Sequence, residues 1–474
     1  MNLKFRIKKT GAIFLALISL CALTTCDKST SSRIEFLVLN RSTMLPIEGV
    51  EIQQIEGNFS IKTDSEGLAI LSDSDLEIPP ISAISDSTAY AFSFVHEDYR
   101  PRELNAGKGE LIVYLTSDSS RNYTYSTPVQ LDDGFTTGNL SDAGFDTSRT
   151  NRLLSRTLTN GYRELHSLLI YKDDKLVLEE YYFGNNDTIQ FENNIYRDRT
   201  PAPIQWTRKQ EHYVASVNKA LTSKVTGIAL DAHGVSSSAT IKEYLPEYSS
   251  YFENNSNKAA LTFNHALNMR LGFQWNEWGG SDLSLMWKSD DFADYLLSKN
   301  NNGPGSSWVY NSAAPNVILK ALENMVNEPI RDWAATNFYE RLGITDYEWQ
   351  SQPDGYPEGA ARMYMRPRDL LKIGVLYLNN GRWNGDQVVQ PAWVDKVFEE
   401  GINTSSGIYS HGFWLRELKG NAYLSGDGDG GNFINIFPEQ NMVIVITQDN
   451  YLEWPLYVNQ AEDMMGNYIL PALE

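Results

Sequence analysis

His212-Tyr-Val-Ala-Ser216-Val-Asn-Lys219-Ala-Leu-Thr-Ser-Lys-Val-Thr-Gly-Ile-Ala-Leu-Asp-Ala-His-Gly234 is the stretch from which the rest of the chain is read. Val217, Ala220, Leu221, Val225, Ile228 and Ala229 recur at helical spacing, and Gly234 stands where a helix would stop. Ser216 therefore opens a helix, and Lys219, three residues on, leaves the same face of its first turn. A serine hydroxyl is a poor nucleophile at neutral pH until a neighbour takes its proton, and a desolvated lysine amine can do so. At a helix N-terminus the amide N–H of Ser216 is a candidate donor to the oxyanion formed when Ser216 attacks a carbonyl. Ser-x-x-Lys arises by chance about once per few hundred residues. This one is the only match in the chain, and it follows a short apolar stretch at a helix start, where the chemistry needs it.

Working outward, 474 residues imply two or three domains. All eleven Trp lie at or beyond Trp206, so the first third should differ in architecture from the rest. Lys4, Arg6, Lys8 and Lys9 precede an apolar run from Ala12 to Leu23, the charge-then-hydrophobe order of a secretory leader over residues 1–25, too short to span a membrane and stay. Leu23-Thr24-Thr25-Cys26 resembles a bacterial lipoprotein box, which implies lipidation of Cys26, although Thr25 departs from the usual Gly, Ala or Ser. Cys21 is the only other cysteine, so the mature chain has no internal disulfide. Losing the leader removes four cations and no acid, making the chain four charges more negative than its −20. Such a chain is a poor partner for nucleic acid. The expectation is an exported protein of the bacterial cell envelope, held to the membrane by its lipid alone.

From Arg33 to about Thr116 short alternating runs (34–39, 50–52, 69–71, 91–95 and 111–115), separated by turn residues, predict a small antiparallel β-sandwich over residues 33–116. Pro46-Ile47-Glu48-Gly49-Val50-Glu51-Ile52, Thr63-Asp64-Ser65-Glu66-Gly67 and Asp98-Tyr99-Arg100-Pro101 resemble the carboxypeptidase-regulatory-like modules of secreted bacterial proteins, which implies a spacer. Residues 117–142, rich in Ser, Thr, Asp and Gly, read as a linker, leaving 143–474 as the main domain. There, 167–171 and 175–181 flank the turn Lys172-Asp173-Asp174 and predict a hairpin; 432–437 and 442–447 predict another around Pro438-Glu439-Gln440-Asn441. Helical patterns at 261–267, 329–342 and from Arg366 lie between them. The fold class is thus α+β, one antiparallel sheet assembled from both ends of the domain and covered by helices, plus a mostly helical subdomain.

Two further motifs carry chemistry. Trp308-Val309-Tyr310-Asn311-Ser312 follows the loop Gly303-Pro304-Gly305, so Tyr310 could enter a cleft and relay a proton. Asp427-Gly428-Asp429-Gly430-Gly431 enters a strand, where glycines let a substrate lie along backbone N–H groups. Asp427 and Asp429 lack the further ligands of a calcium loop, and no His-Glu-x-x-His or paired Cys occurs, so neither a metal nor a cofactor is implied. His212, His233 and His411 have no Gly-x-Ser-x-Gly to serve, which argues against a Ser-His-Asp triad. Trp275, Trp278, Trp287 and Trp308 read as core, with one or two walling an apolar acyl pocket.

In order, these three sites resemble the serine β-lactamase and penicillin-binding-protein superfamily, including its 6-aminohexanoate-dimer-hydrolase branch. The resemblance extends to His166-Ser167-Leu168-Leu169-Ile170, Tyr244-Leu245-Pro246-Glu247, Pro367-Arg368-Asp369-Leu370 and Phe437-Pro438-Glu439. It implies that Ser216 is acylated, that Lys219 is its base, that Tyr310 relays the proton, and that Asp429-Gly430-Gly431 stands near the second oxyanion donor. The implied activity is hydrolysis of a small ester or amide. β-Lactamase or D-alanyl-D-alanine carboxypeptidase chemistry and a silent binding protein on the same scaffold are the alternatives. Two departures bear on the choice. Asp429 stands where penicillin-recognising members carry Lys or His, removing the cation that would meet a substrate carboxylate, and Tyr310-Asn311-Ser312 replaces the commoner Tyr-x-Asn.

Overall fold

The computed structural model describes residues 33–41, 44–55, 57–77, 90–115, 125–158, 161–186, 203–278 and 282–473. The leader and Cys26 lie outside them. The chain forms two compact units, one up to Arg121 and one from Asn122.

The first unit is all-β. Strands β1 (Arg33–Asn40), β2 (Glu51–Gln54), β3 (Ser60–Lys62), β4 (Leu68–Ser72), β5 (Tyr90–His96), β6 (Tyr99–Ala106) and β7 (Gly109–Leu115) form two sheets, ordered β4-β1-β7 and β3-β2-β5-β6. Alternation along β1 buries Ile34, Phe36 and Val38, and Phe36 meets Phe92 and Phe94 of the other sheet edge-on, each at 5.1 Å. The expected all-antiparallel pairing fails at one place: β1 and β7 are parallel. Parallel neighbours need a long crossover, and nearly the whole unit lies between these two strands.

The second unit is built on an eight-stranded antiparallel sheet. Its strands are β8 (Leu165–Lys172), β9 (Lys175–Tyr181), β10 (Ile402–Thr404), β11 (Gly407–Ser410), β12 (Phe413–Leu418), β13 (Asn421–Gly428), β14 (Asn432–Phe437) and β15 (Met442–Gln448). Their order, β10-β11-β12-β13-β14-β15-β8-β9, joins the predicted hairpins through β15 and β8, with Ile444 opposite Ile170. β8, β14 and β15 are buried almost throughout, because the sheet is covered on both faces. Helix α1 (Thr147–Leu158) packs on one face, its Leu153 and Leu154 in a cluster with Ile444 and Ile446. Helices α2 (Val217–Ala232), α3 (Ala314–Val326) and α4 (Pro367–Leu378) contribute to the larger core that takes in Val443 and Val445.

Helix α2 is buried on every side from Val217 to Gly227. A helix so enclosed is the axis of its unit. Close approach is bought with glycines: a Cβ on Gly227 would fall 2.5 Å from the Trp393 ring, and one on Gly374 of α4 would fall 2.4 Å from Val443. The segment read as a linker is, from Tyr125 onward, a packed part of this unit. Phe135 and Leu140 are buried, and Arg368 of α4 holds both Asp133 (2.7 Å) and the buried Glu179 (2.6 Å). Burial alone would raise the Glu179 carboxyl's pKa, but the Arg368 guanidinium outweighs it and holds it below the ordinary value.

Candidate active site

Val214 donates its N–H to Met363 O (2.9 Å), Ala215 takes φ +46°, and Val217 N–H returns to Val214 O (3.2 Å). This turn sets Ser216 at the head of α2. A non-glycine residue at positive φ stores strain, held here by the strand pairing of His212–Tyr213 with Met363–Met365.

The loop 358–361 then fixes the first turns of α2 from outside. Asn218 Nδ2 donates to the carbonyls of Glu358 (2.7 Å) and Ala361 (2.6 Å), Thr222 Oγ1 to Gly359 O (2.7 Å), and Lys219 Nζ to Ala360 O (3.1 Å). Glu358, buried, orders that loop by accepting from the amides of Ala360 and Ala361 and from Asn316 Nδ2. Sequence reasoning had no signal for Glu358, since its partners come from its own loop and from α3.

Lys219, 3% exposed, has Nζ 2.8 Å from Ser216 Oγ. The same Nζ lies 4.9 Å from the centre of the Tyr310 ring, on its face. Ser216, Lys219 and Tyr310 are therefore together. Tyr310 belongs to an aromatic wall: Trp278 stacks near it at 5.8 Å, Trp414 lies parallel at 6.5 Å, and Tyr409 stands edge-on at 6.1 Å. Trp278 is 73% exposed, so this wall opens to solvent. Trp275 and Trp287 are buried and belong to the core, whereas Trp308 is half-buried against Tyr409 (5.8 Å) and Trp414 (5.8 Å).

Asp429, Gly430 and Gly431 form the turn between β13 and β14, and their contacts run toward the following loop. Both carboxylate oxygens of Asp429 accept from Leu452 N–H at 3.2 Å, and the Tyr457 hydroxyl is bonded to the same side chain. Gly430 (φ +85°) and Gly431 (φ +98°) have no room for a Cβ against Tyr451 and Gln448. The backbone that meets the head of α2 is just upstream: a Cβ on Gly428 would lie 2.2 Å from Val214 O, and one on Gly426 would touch Ala220. The sequence groups these glycines as one loop, but 421–428 is strand. Asp427 is paired with Arg416, whose guanidinium lies 5.8 Å from the centre of the Trp414 ring, and Glu277 is bonded to Ser312, two residues from Tyr310, so both carboxylates lie near the aromatic wall.

Elsewhere His212 and His166 both stack on Trp206, at 3.9 and 4.6 Å, with their own rings 5.4 Å apart. Glu164, His166 and Asp449 also gather, with one ligand-type atom of each within 4.8 Å of the others.

A Ser-x-x-Lys at the head of a central helix, a tyrosine against the lysine and a glycine strand alongside form one constellation, and the family model described as Beta-lactamase matches residues 156–455, more than half of the chain. The chain belongs to that family. Among curated proteins, a 6-aminohexanoate-dimer hydrolase of Paenarthrobacter ureafaciens is 22% identical over 261 residues. That match spans 49% of this chain and 65% of the relative, just under two thirds of its length. Among solved structures, a family VIII carboxylesterase aligns with TM-score 0.53 at 14% identity, covering 69% of this chain and 97% of its own. A penicillin-binding-protein homologue from Caulobacter crescentus aligns with TM-score 0.51 at 12% identity, covering 69% and 99%. These structural likenesses concern the fold, which is that of β-lactamase-related and esterase-type hydrolases.

Proposed function

We propose that the second unit is a serine hydrolase that cleaves an ester or amide through an acyl-enzyme on Ser216, with Lys219 and Tyr310 moving the protons. The observation that carries this reading is the 2.8 Å contact between Lys219 Nζ and Ser216 Oγ at the head of α2. In the first step the unprotonated amine of Lys219 takes the hydroxyl proton as Oγ bonds to the substrate carbonyl carbon, and the carbonyl oxygen becomes an oxyanion at the Ser216 N–H. The oxyanion then collapses, and the bond to the leaving oxygen or nitrogen breaks as that atom receives a proton by way of Lys219 and Tyr310. Water repeats the sequence on the acyl-enzyme, releasing the acid and restoring Ser216.

The substrate is neutral near the scissile bond. Asp429 stands on the β13–β14 turn where penicillin-recognising enzymes offer a cation, so a substrate carboxylate gains no ion pair there. The wall of Trp278, Tyr310 and Trp414 favours an apolar acyl group. The first unit serves as a spacer of the carboxypeptidase-regulatory-like kind, and lipidated Cys26 holds the mature chain in the bacterial cell envelope. Among the described residues no helix is long and apolar enough to cross a membrane.

The test is a fluorophosphonate probe on the full chain. Labelling that is lost in Ser216→Ala supports the hydrolase, and no labelling at any pH supports a silent binding protein. Efficient hydrolysis of a carboxylate-bearing β-lactam alongside p-nitrophenyl esters would restore the β-lactamase reading.

A further inference from the structure

Glu277 is a charged side chain beside the site that the mechanism above does not use. It stands between Trp275 and Trp278 on the loop after Phe273. Its Oε2 accepts from Trp275 Nε1 (2.6 Å) and from the backbone N–H of Ser312 (3.1 Å), while Oε1 accepts from the Ser312 hydroxyl. Ser312 is two residues from Tyr310. Between them Asn311 Oδ1 accepts from the amides of Ala313 (2.8 Å) and Ala314 (3.2 Å), so the segment 310–314 is fixed at the start of α3 and fastened to Glu277 by two bonds at Ser312. A buried carboxylate normally has its pKa raised, and here burial does so; the Lys219 charge is the foremost opposing influence, followed by the Ser312 and Trp275 bonds.

We infer that Glu277 is a positioning residue of this site, holding the Tyr310 segment in place through its two bonds to Ser312. The inference rests on the acyl-enzyme reading. Trp275 Nε1 fixes the carboxylate from the other side, so the strap runs from the 273–278 loop through Glu277 to the residues that carry Tyr310.

The experiment compares three variants on the full chain by kcat and KM for a neutral p-nitrophenyl ester, by the fluorophosphonate labelling rate and by urea unfolding. Ser312→Ala breaks one strap and lowers kcat about tenfold, while KM and the unfolding midpoint stay at the wild-type values. Ser312→Thr keeps the hydroxyl and restores most of that loss. Glu277→Gln keeps one accepting oxygen and loses the other, and lowers kcat in the same way. An unchanged kcat in Ser312→Ala, or a Ser312→Thr no more active than Ser312→Ala, overturns the inference, including when the Gln variant fails to fold. Wild-type protein that is never labelled at Ser216 instead removes the acyl-enzyme reading, so the two failures are distinguishable.

Discussion

His411 supplies a stability switch whose size follows from its surroundings. It is fully buried with φ +48°, its N–H bonds to Asn268 Oδ1 (3.1 Å), and its ring lies edge-on to Trp393. Burial, with the Lys396 charge adding to it, pushes the imidazole pKa down to about 3. In the unfolded chain the same group titrates near its ordinary value of about 6.5. Because the folded pKa is the lower one, protons bind the unfolded state preferentially. The contribution of neutral His411 to stability is therefore complete above about pH 6.5 and drains away as pH falls toward 3. Between about pH 7.5 and pH 4.5 the loss spans two pH units at about 1.36 kcal/mol each, or roughly 2.7 kcal/mol. Asn tolerates the left-handed backbone and does not titrate, so His411→Asn removes this slope whatever it costs in packing. The assay is urea unfolding followed by Trp fluorescence, and since every Trp lies at or beyond Trp206 the signal reports the second unit alone. Other groups titrate equally in both proteins and cancel in the comparison. If wild type and His411→Asn lose the same stability between the two pH values, to within about 0.5 kcal/mol, the imidazole is not held neutral and the reasoning fails.

Other substitutions test the site directly. Lys219→Met should lower kcat/KM for a neutral ester by at least about a hundredfold while the far-UV spectrum stays that of the wild type, because the proton acceptor is lost and the volume is kept. Gly428→Ala should destabilise the second unit by about 1–3 kcal/mol and slow acylation, since its Cβ has no room against Val214 O beside Ser216; a neutral effect in urea would show that the strand can yield there. Trp278→Ala should leave stability unchanged, the ring being exposed, and raise KM several-fold more for long-chain than for acetyl esters.

How far the chain is legible without its structure varies by element, for physical reasons. Helix α2 and both central hairpins follow from periodicity and turn residues. The surroundings of α2 do not, because Lys219, Thr222, Lys224 and Thr226 are polar yet buried, each satisfied by a partner from elsewhere or by its own helix. Lys224 is the extreme case, its Nζ over the rings of Tyr377 and Phe413 and its pKa pushed well down by burial. Composition reads 117–142 as a linker, whereas its polar residues serve hydrogen bonds: Gln130 reaches Phe135 O and Thr137, and Tyr125 reaches Val177 O. Strands β11 and β13 carry Gly and Ser where alternation should show, and Gly426 and Gly428 of β13 are spaces for the head of α2. Ser216 and Lys219 share one helical turn and so declare themselves. Glu277 and Glu358 acquire meaning only from loops that folding brings to them.

Strand β15 is made late in synthesis yet lies inside the sheet, between β14 and β8. Ser167 and Thr447, which share a hydrogen bond there, are 280 residues apart in the chain. During synthesis β8 therefore leaves the ribosome with its partner edge open, bearing Leu169 and Ile170, and that edge stays open until almost the whole unit exists. A nascent chain cannot settle piece by piece and depends on being held apart from its neighbours. For the same reason a chain cut before Met442 loses the seam of the sheet rather than an edge, and should accumulate as aggregate and not as a shortened enzyme.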